Sequence, residues 1–445
     1  MKTPIADFLR GYEKKNMTRL HMPGHKGQTF VGCETYDITE VAGADSLYEA
    51  TGIIAESEAN ATKLFGTART VYSTEGASQC IRAMLYLAMT NHKGKEKPVV
   101  VATRNAHKSF LYAAGLLDLE VIWLWPEEGI RSVCSCSVSV KTVDETLACM
   151  DEPPIAVYVT SPDYLGSQLD ISGIAEVCHK RNTILAVDNA HGAYLRFLEP
   201  SQHPMDLGAD ICCDSAHKTL SVLTGGAYLH IGKSAPEDFQ KQAKQAMALF
   251  GSTSPSYLIL MSLDLCNVYL ADEYGELLTR AIEQINHLKT GLMNNNWQVV
   301  GTEPLKVTVR MPHGLSGIHM AERLRKANVE CEYADEEYVV CMFTPHNLQS
   351  DFGCVLRAFG NNRERYEERE ELQIKNCIRA LSIHDAMFAK QETIVAKEAL
   401  GRICGTPTVS CPPAIPIVVS GEVIDEDALQ VFDYYRIQTV DVVKE

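Results

Sequence analysis

No Gly-x-Gly-x-x-Gly follows any apolar run in the chain, which removes the usual dinucleotide-binding signature. No Cys-x-x-Cys pair occurs among the 15 cysteines, and the close spacings Cys134/Cys136 and Cys212/Cys213 lack a second pair to complete a zinc site. Positive charge is scarce: 41 Lys and Arg stand against 57 Asp and Glu, a formal net charge of −16. Binding to a phosphate backbone rests on cations that displace counterions, so this balance argues against a nucleic-acid partner. A membrane span is lacking too. The charge-free stretch from Ile403 to Gly421 carries Pro407, Pro412, Pro413 and Pro416, which would leave backbone groups unsatisfied in lipid, so it reads as a loop. No apolar h-region precedes Asp7 and Arg10, and the odd, scattered cysteines suit buried thiols in a reducing cytoplasm.

Two near-matches dissolve on inspection. Gly226 to Gly232 resembles a phosphate loop, but has five intervening residues and reads as a strand. His21 and His25 would share a helix face, yet Pro23-Gly24 breaks that helix, so a turn near an active site is expected and no metal.

What is present is ordinary globular composition, 22% charged and 46% hydrophobic, in a length that suggests two or three domains. From about residue 70 to 235, short apolar runs alternate with helical segments, as in βα units around a mostly parallel sheet. Strands are expected at Val99–Ala102, Val121–Trp125, Ile155–Thr160, Ile184–Asp188, Ile211–Cys213 and Ala227–Ile231. Helices are expected at Ala77–Thr90, Ser109–Leu117 and Ser172–Arg181. Tyr257–Asn296 reads as one long helix, with Leu258, Met261, Leu265 and Val268 on its apolar face. After Asn296 the pattern restarts with strands near Gln298–Val300, Lys306–Val309 and Tyr338–Phe343, and helices near Ile318–Lys326 and Glu371–Ser382, a smaller α+β domain. The charged runs Glu332–Glu337 and Arg363–Glu371 read as solvated surface.

Four polar islands stand where parallel strands should end, the edge at which α/β folds bind ligands. Ser73 to Ser78 places Gly76, Ala77 and Ser78 at a helix N-terminus, where free N–H groups and the dipole suit a phosphate. Arg104 to Ser109 contains His107. Asp188 to Gly192 puts a carboxylate at the end of a buried strand, where it needs a cationic partner, and places His191 beside it. Asp214 to Thr219 contains Ser215, His217 and Lys218, and desolvation of that lysine would favour amine chemistry. A phosphate cradle, a ring-facing histidine, a strand-end acid and a downstream lysine are together what pyridoxal phosphate requires.

The segments His21-Met-Pro-Gly-His-Lys-Gly27, Asp37-Ile-Thr-Glu40 through Ala44-Asp-Ser-Leu47, Thr74-Glu-Gly-Ala-Ser78, Arg104-Asn-Ala-His-Lys-Ser109, Asp188-Asn-Ala-His191, Ser215-Ala-His-Lys-Thr219 and Pro412-Pro-Ala-Ile-Pro416 give the chain its family look. It resembles the Orn/Lys/Arg decarboxylases in their short form, without an extra N-terminal regulatory domain. The resemblance implies an α/β aspartate-aminotransferase fold (fold type I): an N-terminal segment 1–40 contributing to a dimer and its active site, a large pyridoxal-phosphate domain 41–294, and a C-terminal α+β domain 295–445. It implies that Lys218 carries pyridoxal 5′-phosphate as a Schiff base and that Asp188 meets the pyridine nitrogen. His107 stacks on the ring, and Gly76, Ala77, Ser78, Ser215 and His217 hold the phosphate. His191 packs alongside, and His217 or Lys218 serves as the acid. A homodimer or larger homo-oligomer is implied, with the His21–Gly27 loop serving the partner. The implied reaction is decarboxylation of arginine, lysine or ornithine, whose distal cation would meet Asp45, Asp163 or Glu75. Transamination or oxidation on the same fold, and a non-catalytic regulator, are the alternatives. Glu75, Ala77, Asn189, Gly225 and Ala414 depart from the residues common in that family.

Overall fold

The computed structural model describes residues 1–444 except 95–96, 128–131, 368–371, 373, 375–376 and 407–414. Its central sheet has strands β1 (Arg69–Ser73), β2 (Val99–Thr103), β3 (Glu120–Leu124), β4 (Ala156–Thr160), β5 (Leu185–Asp188), β6 (Ile211–Asp214) and β7 (Ala227–Ile231), in the spatial order β1-β7-β6-β5-β4-β2-β3. Neighbours from β6 through β5, β4 and β2 to β3 pair in parallel, and β7 alone runs against both its neighbours. Each expected strand in this region is present to within a residue or two. Strand β1, which the sequence reading did not single out, closes one edge.

Alternation of side chains along each strand decides what covers the two faces. Val100 and Ala102 point into a layer with Met84 and Phe110, from the helices Ala77–Asn91 and Lys108–Leu116. Val101, between them, points into the opposite layer with Val143 and Ile174, from the helices Val140–Ala148 and Ile171–Lys180. Both faces of β2 are therefore dry.

A second, antiparallel sheet is built from β8 (Gln298–Val300), β9 (Lys306–Arg310), β10 (Tyr333–Ala334) and β11 (Tyr338–Met342), in the order β10-β11-β9-β8. It docks on the loop that follows β4: the Thr308 hydroxyl donates to the Leu165 carbonyl at 2.8 Å, and Lys306 Nζ donates to the Asp163 carbonyl at 2.9 Å. β12 (Gln391–Val395) and β13 (Thr439–Val443) form a separate antiparallel pair. No described helix is long and apolar enough to cross a membrane.

The long helix expected over Tyr257–Asn296 is two, Tyr257–Asp272 and Tyr274–Asn294, which meet at Glu273. The break lets Tyr274 turn inward against Phe197, ring centroids 5.3 Å apart. The expected apolar stripe of Leu258, Met261, Leu265 and Val268 is only half-buried, and the deeper face includes Asp264 and Asn267. Those polar residues belong there because they bond to distant parts of the chain. Asp264 accepts the N–H groups of Ile5 and Ala6, both at 3.0 Å, which caps the N-terminal helix Pro4–Lys14, and it accepts the Ser57 hydroxyl at 2.6 Å. Asn267 donates to the Tyr72 hydroxyl at 2.7 Å.

Two further expectations are corrected. The described residues within Glu371–Ser382 form no helix, since Arg379 instead bridges Glu422 in extended pairing, and the helix begins at Ile383. The run Glu332–Glu337 is not all solvated: Asp335 and Glu337 are buried, Asp335 because it accepts the N–H groups of Glu337 and Tyr338 at 2.7 Å in a tight turn. Pro407, Pro412, Pro413 and Ala414 lie outside the described residues.

The C-terminal segment is joined to the large sheet by a buried ion pair. Arg104 donates through both terminal nitrogens to Glu422, at 2.8 and 2.7 Å, with its guanidinium 4.9 Å from the Trp123 ring centroid and 4.8 Å from that of Trp125. Removing one partner strands a charge in a dry site, so Glu422→Ala should lower unfolding free energy by about 3–5 kcal/mol in urea titrations. The apolar pair Arg104→Met with Glu422→Leu should recover much of that loss. Equal destabilisation of the single and double variants would contradict this account.

Candidate functional site

The carboxyl ends of β1, β4, β5 and β6 open into a cavity of about 290 Å³. All nine residues singled out from the sequence line it: Gly76, Ala77, Ser78, His107, Asp188, His191, Ser215, His217 and Lys218. So do Glu75 and Thr160. A wider, more open groove of about 1170 Å³ runs along the helix Tyr274–Asn294 but gathers none of the nine; its one lining cation, Arg196, is committed to Asp206 and the Leu64 carbonyl.

One end of the cavity suits an anion. The helix Ala77–Asn91 begins without a side-chain cap, after Gly76 at φ +73°. The Gly76 N–H is spent on the Gly225 carbonyl at 2.7 Å, whereas those of Ala77 and Ser78 have no partner among the described residues. These free donors at the positive end of a long helix make a phosphate cradle, and the missing hydroxyl at Ala77 leaves the backbone donors in place. Ser73 shapes the turn, donating to Gln79 Oε1 at 2.6 Å and accepting the Glu75 N–H at 3.0 Å. Gly225 must be small: at φ +100°, an added Cβ would sit 2.9 Å from the Thr74 carbonyl oxygen. His217 closes this end, its Nδ1 3.0 Å from the Gly226 carbonyl, and burial lowers its pKa.

The other end asks for a cation. Asp188 is 1% exposed, and no lysine, arginine or histidine nitrogen among the described residues pairs with it. Among the described residues, then, no side chain supplies the expected cationic partner. Its carboxylate accepts the Tyr158 hydroxyl at 3.0 Å and the Ala190 N–H at 3.2 Å, with Cys213 Sγ at 3.7 Å. An ionised carboxylate in such a site is costly until a positive group reaches it. His107 caps the helix Lys108–Leu116, its Nδ1 accepting the Ser109 N–H at 3.1 Å, which leaves any ring proton on Nε2. Burial lowers its pKa against the pull of Asp188.

Lys218 Nζ lies 3.0 Å from His191 Nε2. Burial lowers the pKa of the lysine, opposed by Asp188 and reinforced by Lys306, so the amine sheds its proton more readily than a surface lysine. His191 is pushed well below the ordinary range by its own burial and then by the nearby cations Lys218 and Lys306. Its Nδ1 is buried with no hydrogen-bond partner among the described residues. A flat ligand with a phosphate at one end, a basic nitrogen at the other and a carbonyl for Lys218 satisfies all of these groups, so the residues fit pyridoxal 5′-phosphate.

Behind His191 lies a shell that the sequence did not reveal. The Tyr164 ring meets the His191 ring edge-on at 5.3 Å, and its hydroxyl donates to Glu332 Oε1 at 3.0 Å. Lys306, buried against Glu303 at 2.9 Å, lies beyond. Glu332 and Lys306 come from the second sheet and its loops and Tyr164 from the loop after β4, and neither periodicity nor motif marks them. Two acids proposed from sequence for a substrate cation are otherwise employed. Asp45 accepts backbone N–H groups of Thr51, Gly52 and Ile54 around the start of the helix Ile53–Phe65, and Asp163 accepts from Ser135 and the Ser167 N–H. Glu75 reaches the cavity but accepts the Ser252 N–H.

One strand over from Asp188, Asp214 is enclosed by His203 and His230, each 3.0 Å from Oδ2, and by Asn189 Nδ2 at 2.7 Å from Oδ1. These ligand atoms are close enough together for a metal ion. However, His203 Nδ1 accepts the Met205 N–H, so its proton sits on Nε2 and points at the carboxylate. The cluster is a hydrogen-bonded support, and it explains Asn189, because a carboxylate at that position would repel Asp214.

The family profile described as "Orn/Lys/Arg decarboxylase, major domain" matches residues 3–312, and "Orn/Lys/Arg decarboxylase, C-terminal domain" matches residues 366–441. The uncharacterized protein YaaO of Bacillus subtilis is 28% identical, with 97% of this chain and 93% of that protein covered. The arginine decarboxylase of the same organism is 27% identical, over 96% of this chain and 92% of its own length. The crystal structure of the lysine decarboxylase LdcF of Francisella novicida superposes with a TM-score of 0.81 at 15% identity, covering 99% of this chain and 81% of that one.

The buried histidines carry a stability prediction. His107, His191 and His217 resist protonation in the fold, while unfolded histidine takes a proton near about pH 6.5. Below that pH the unfolded state binds more protons, so stability should fall as pH drops from about 7 to 5. Urea midpoints of the cofactor-free protein should decline over this window, and His191→Gln should flatten the decline; an unchanged slope would contradict the assignment.

Proposed function

The chain belongs to the Orn/Lys/Arg decarboxylase family, and on that premise we propose how its own residues remove carbon dioxide from a basic L-amino acid with pyridoxal 5′-phosphate. The observation that carries the reading is the buried, cation-free carboxylate of Asp188 in one cavity with the depressed amine of Lys218. When bound, the cofactor supplies an electron sink for the pair left on Cα as carbon dioxide departs.

Every other task falls to the protein. Asp188 holds the proton on the ring nitrogen, and Tyr158 and the Ala190 N–H fix the carboxylate that does so. His107 covers the ring, while the N–H groups of Ala77 and Ser78, with Ser215 and His217, hold the phosphate. Lys218 binds the cofactor covalently through Nζ and, once displaced by substrate, delivers a proton to Cα; His191 Nε2 is placed to exchange that proton with it. Glu332 is the acid for the distal cation of the substrate. Its field reaches Lys218, it is exposed, and its Oε2 has no partner among the described residues.

The site is completed by a second copy of the chain. The N-terminal segment lines none of its own cavity and leaves Leu20, Met22, Phe30 and Val31 between 63% and 92% exposed. Apolar side chains so far from their own core suit burial against a partner. Sedimentation of the purified holoprotein should give twice the chain mass or more, and a monomer with full activity would refute the pairing.

Arginine, lysine and ornithine are to be offered to the purified holoprotein, with carbon dioxide, amine and keto acid measured. Carbon dioxide and the matching amine should form in equal amounts; keto acid instead, which retains the carboxylate, would overturn the decarboxylation. Lys218→Ala should lose the visible absorption band of the bound cofactor and turnover together. Glu332→Gln should raise KM for the basic substrate about tenfold with a smaller change in kcat, as loss of one charged contact would.

A further inference from the structure

Thr160, the last residue of β4, ends its strand in the wall of the cavity, 3% exposed, and its hydroxyl makes no hydrogen bond of normal geometry among the described residues. Its backbone N–H is satisfied by Thr103 Oγ1 at 3.3 Å, so the side chain is not needed to complete the strand end. The Tyr158 hydroxyl lies near enough to feel it, but gives its own proton to Asp188. Buried hydroxyls are almost always bonded, so an unbonded one aimed into a ligand cavity points to the ligand.

The strand order says which part of the ligand. Thr160 and Asp188 are register partners on β4 and β5, neighbouring parallel strands. The phosphate cradle follows β1, and Ser215 and Lys218 follow β6, all on the far side of β5 from β4. A pyridine ring anchored by its nitrogen at Asp188 and by its phosphate arm on the β1 and β6 side must turn its opposite edge toward β4. In pyridoxal phosphate that edge carries the methyl group and the phenolic oxygen.

Resting on the assignment of Asp188 and the cradle above, we propose that Thr160 Oγ1 donates a hydrogen bond to the phenolic oxygen of the cofactor and so sets the protonation of the bound cofactor. Thr160 is a positioning residue for the reacting group. A donor at this oxygen stabilises its anion; without the donor, the proton shared between that oxygen and the nitrogen of Lys218 is retained to higher pH.

The test titrates the visible absorbance of the holoenzyme against pH in wild type, Thr160→Val and Thr160→Ser. Valine should raise the midpoint by about one pH unit, the scale of a hydrogen bond to a charged group, and serine should restore it. Where valine packs badly, the smaller Thr160→Ala repeats the comparison without the donor. As a second reading, the dissociation constant should rise about tenfold in the donor-free variant for pyridoxal 5′-phosphate, and not at all for its analogue lacking the 3-hydroxyl. An unchanged midpoint, or the same penalty with both ligands, overturns the proposal and shows a purely structural threonine. A wild-type protein that binds no pyridoxal phosphate would instead overturn the functional assignment beneath it.

Discussion

A carboxylate sealed inside a protein without a cation is the constraint around which this molecule is arranged. Asp188 ends a strand in the middle of a sheet covered on both faces, where water cannot repay its charge. The groups that touch it are a tyrosine hydroxyl, a backbone N–H and a thiol, all donors too weak to neutralise it. On the assignment proposed above, it is half of an ion pair whose other half would arrive with the cofactor. Binding should therefore stabilise the fold by more than the contact area alone would suggest, because it removes a penalty already present.

Asp214 shows the contrast within the same sheet. One strand away and equally buried, it is held by two histidines and an asparagine, and those groups keep its carboxyl far below the usual range despite the burial that opposes ionisation. The protein thus has the means to compensate a buried acid with its own side chains and does so where the role is support. At Asp188 it withholds them. Strand topology separates the two roles by a single neighbour: β6 carries the self-contained acid, and the loop after it carries Lys218.

Much of the large sheet and nine of the residues that line the cavity were legible in the sequence, because parallel strands covered on both sides are continuous apolar runs and their polar ends stand out. What escaped was whatever depends on distant partners. Asp264 and Asn267 broke the apolar stripe of their helix because they serve Ile5, Ala6 and Tyr72, which no local periodicity can announce. Glu332 looked like one charge in a solvated run until the second sheet brought it to Tyr164. In the sequence Thr160 marks only the end of a strand; in the fold its buried hydroxyl is left without a partner among the described residues. The polar residues legible in the sequence gather at strand ends and helix starts, whereas those that were missed act across the chain.

The ion pair of Arg104 with Glu422 joins residues 318 positions apart. On a ribosome adding roughly 5–20 residues each second, the guanidinium waits on the order of 20–60 s for its carboxylate to be made. Through that interval the nascent sheet holds a pocket between two tryptophans that its cation cannot enter without cost. The strand that leads to His107 therefore cannot settle fully until residue 422 has been made.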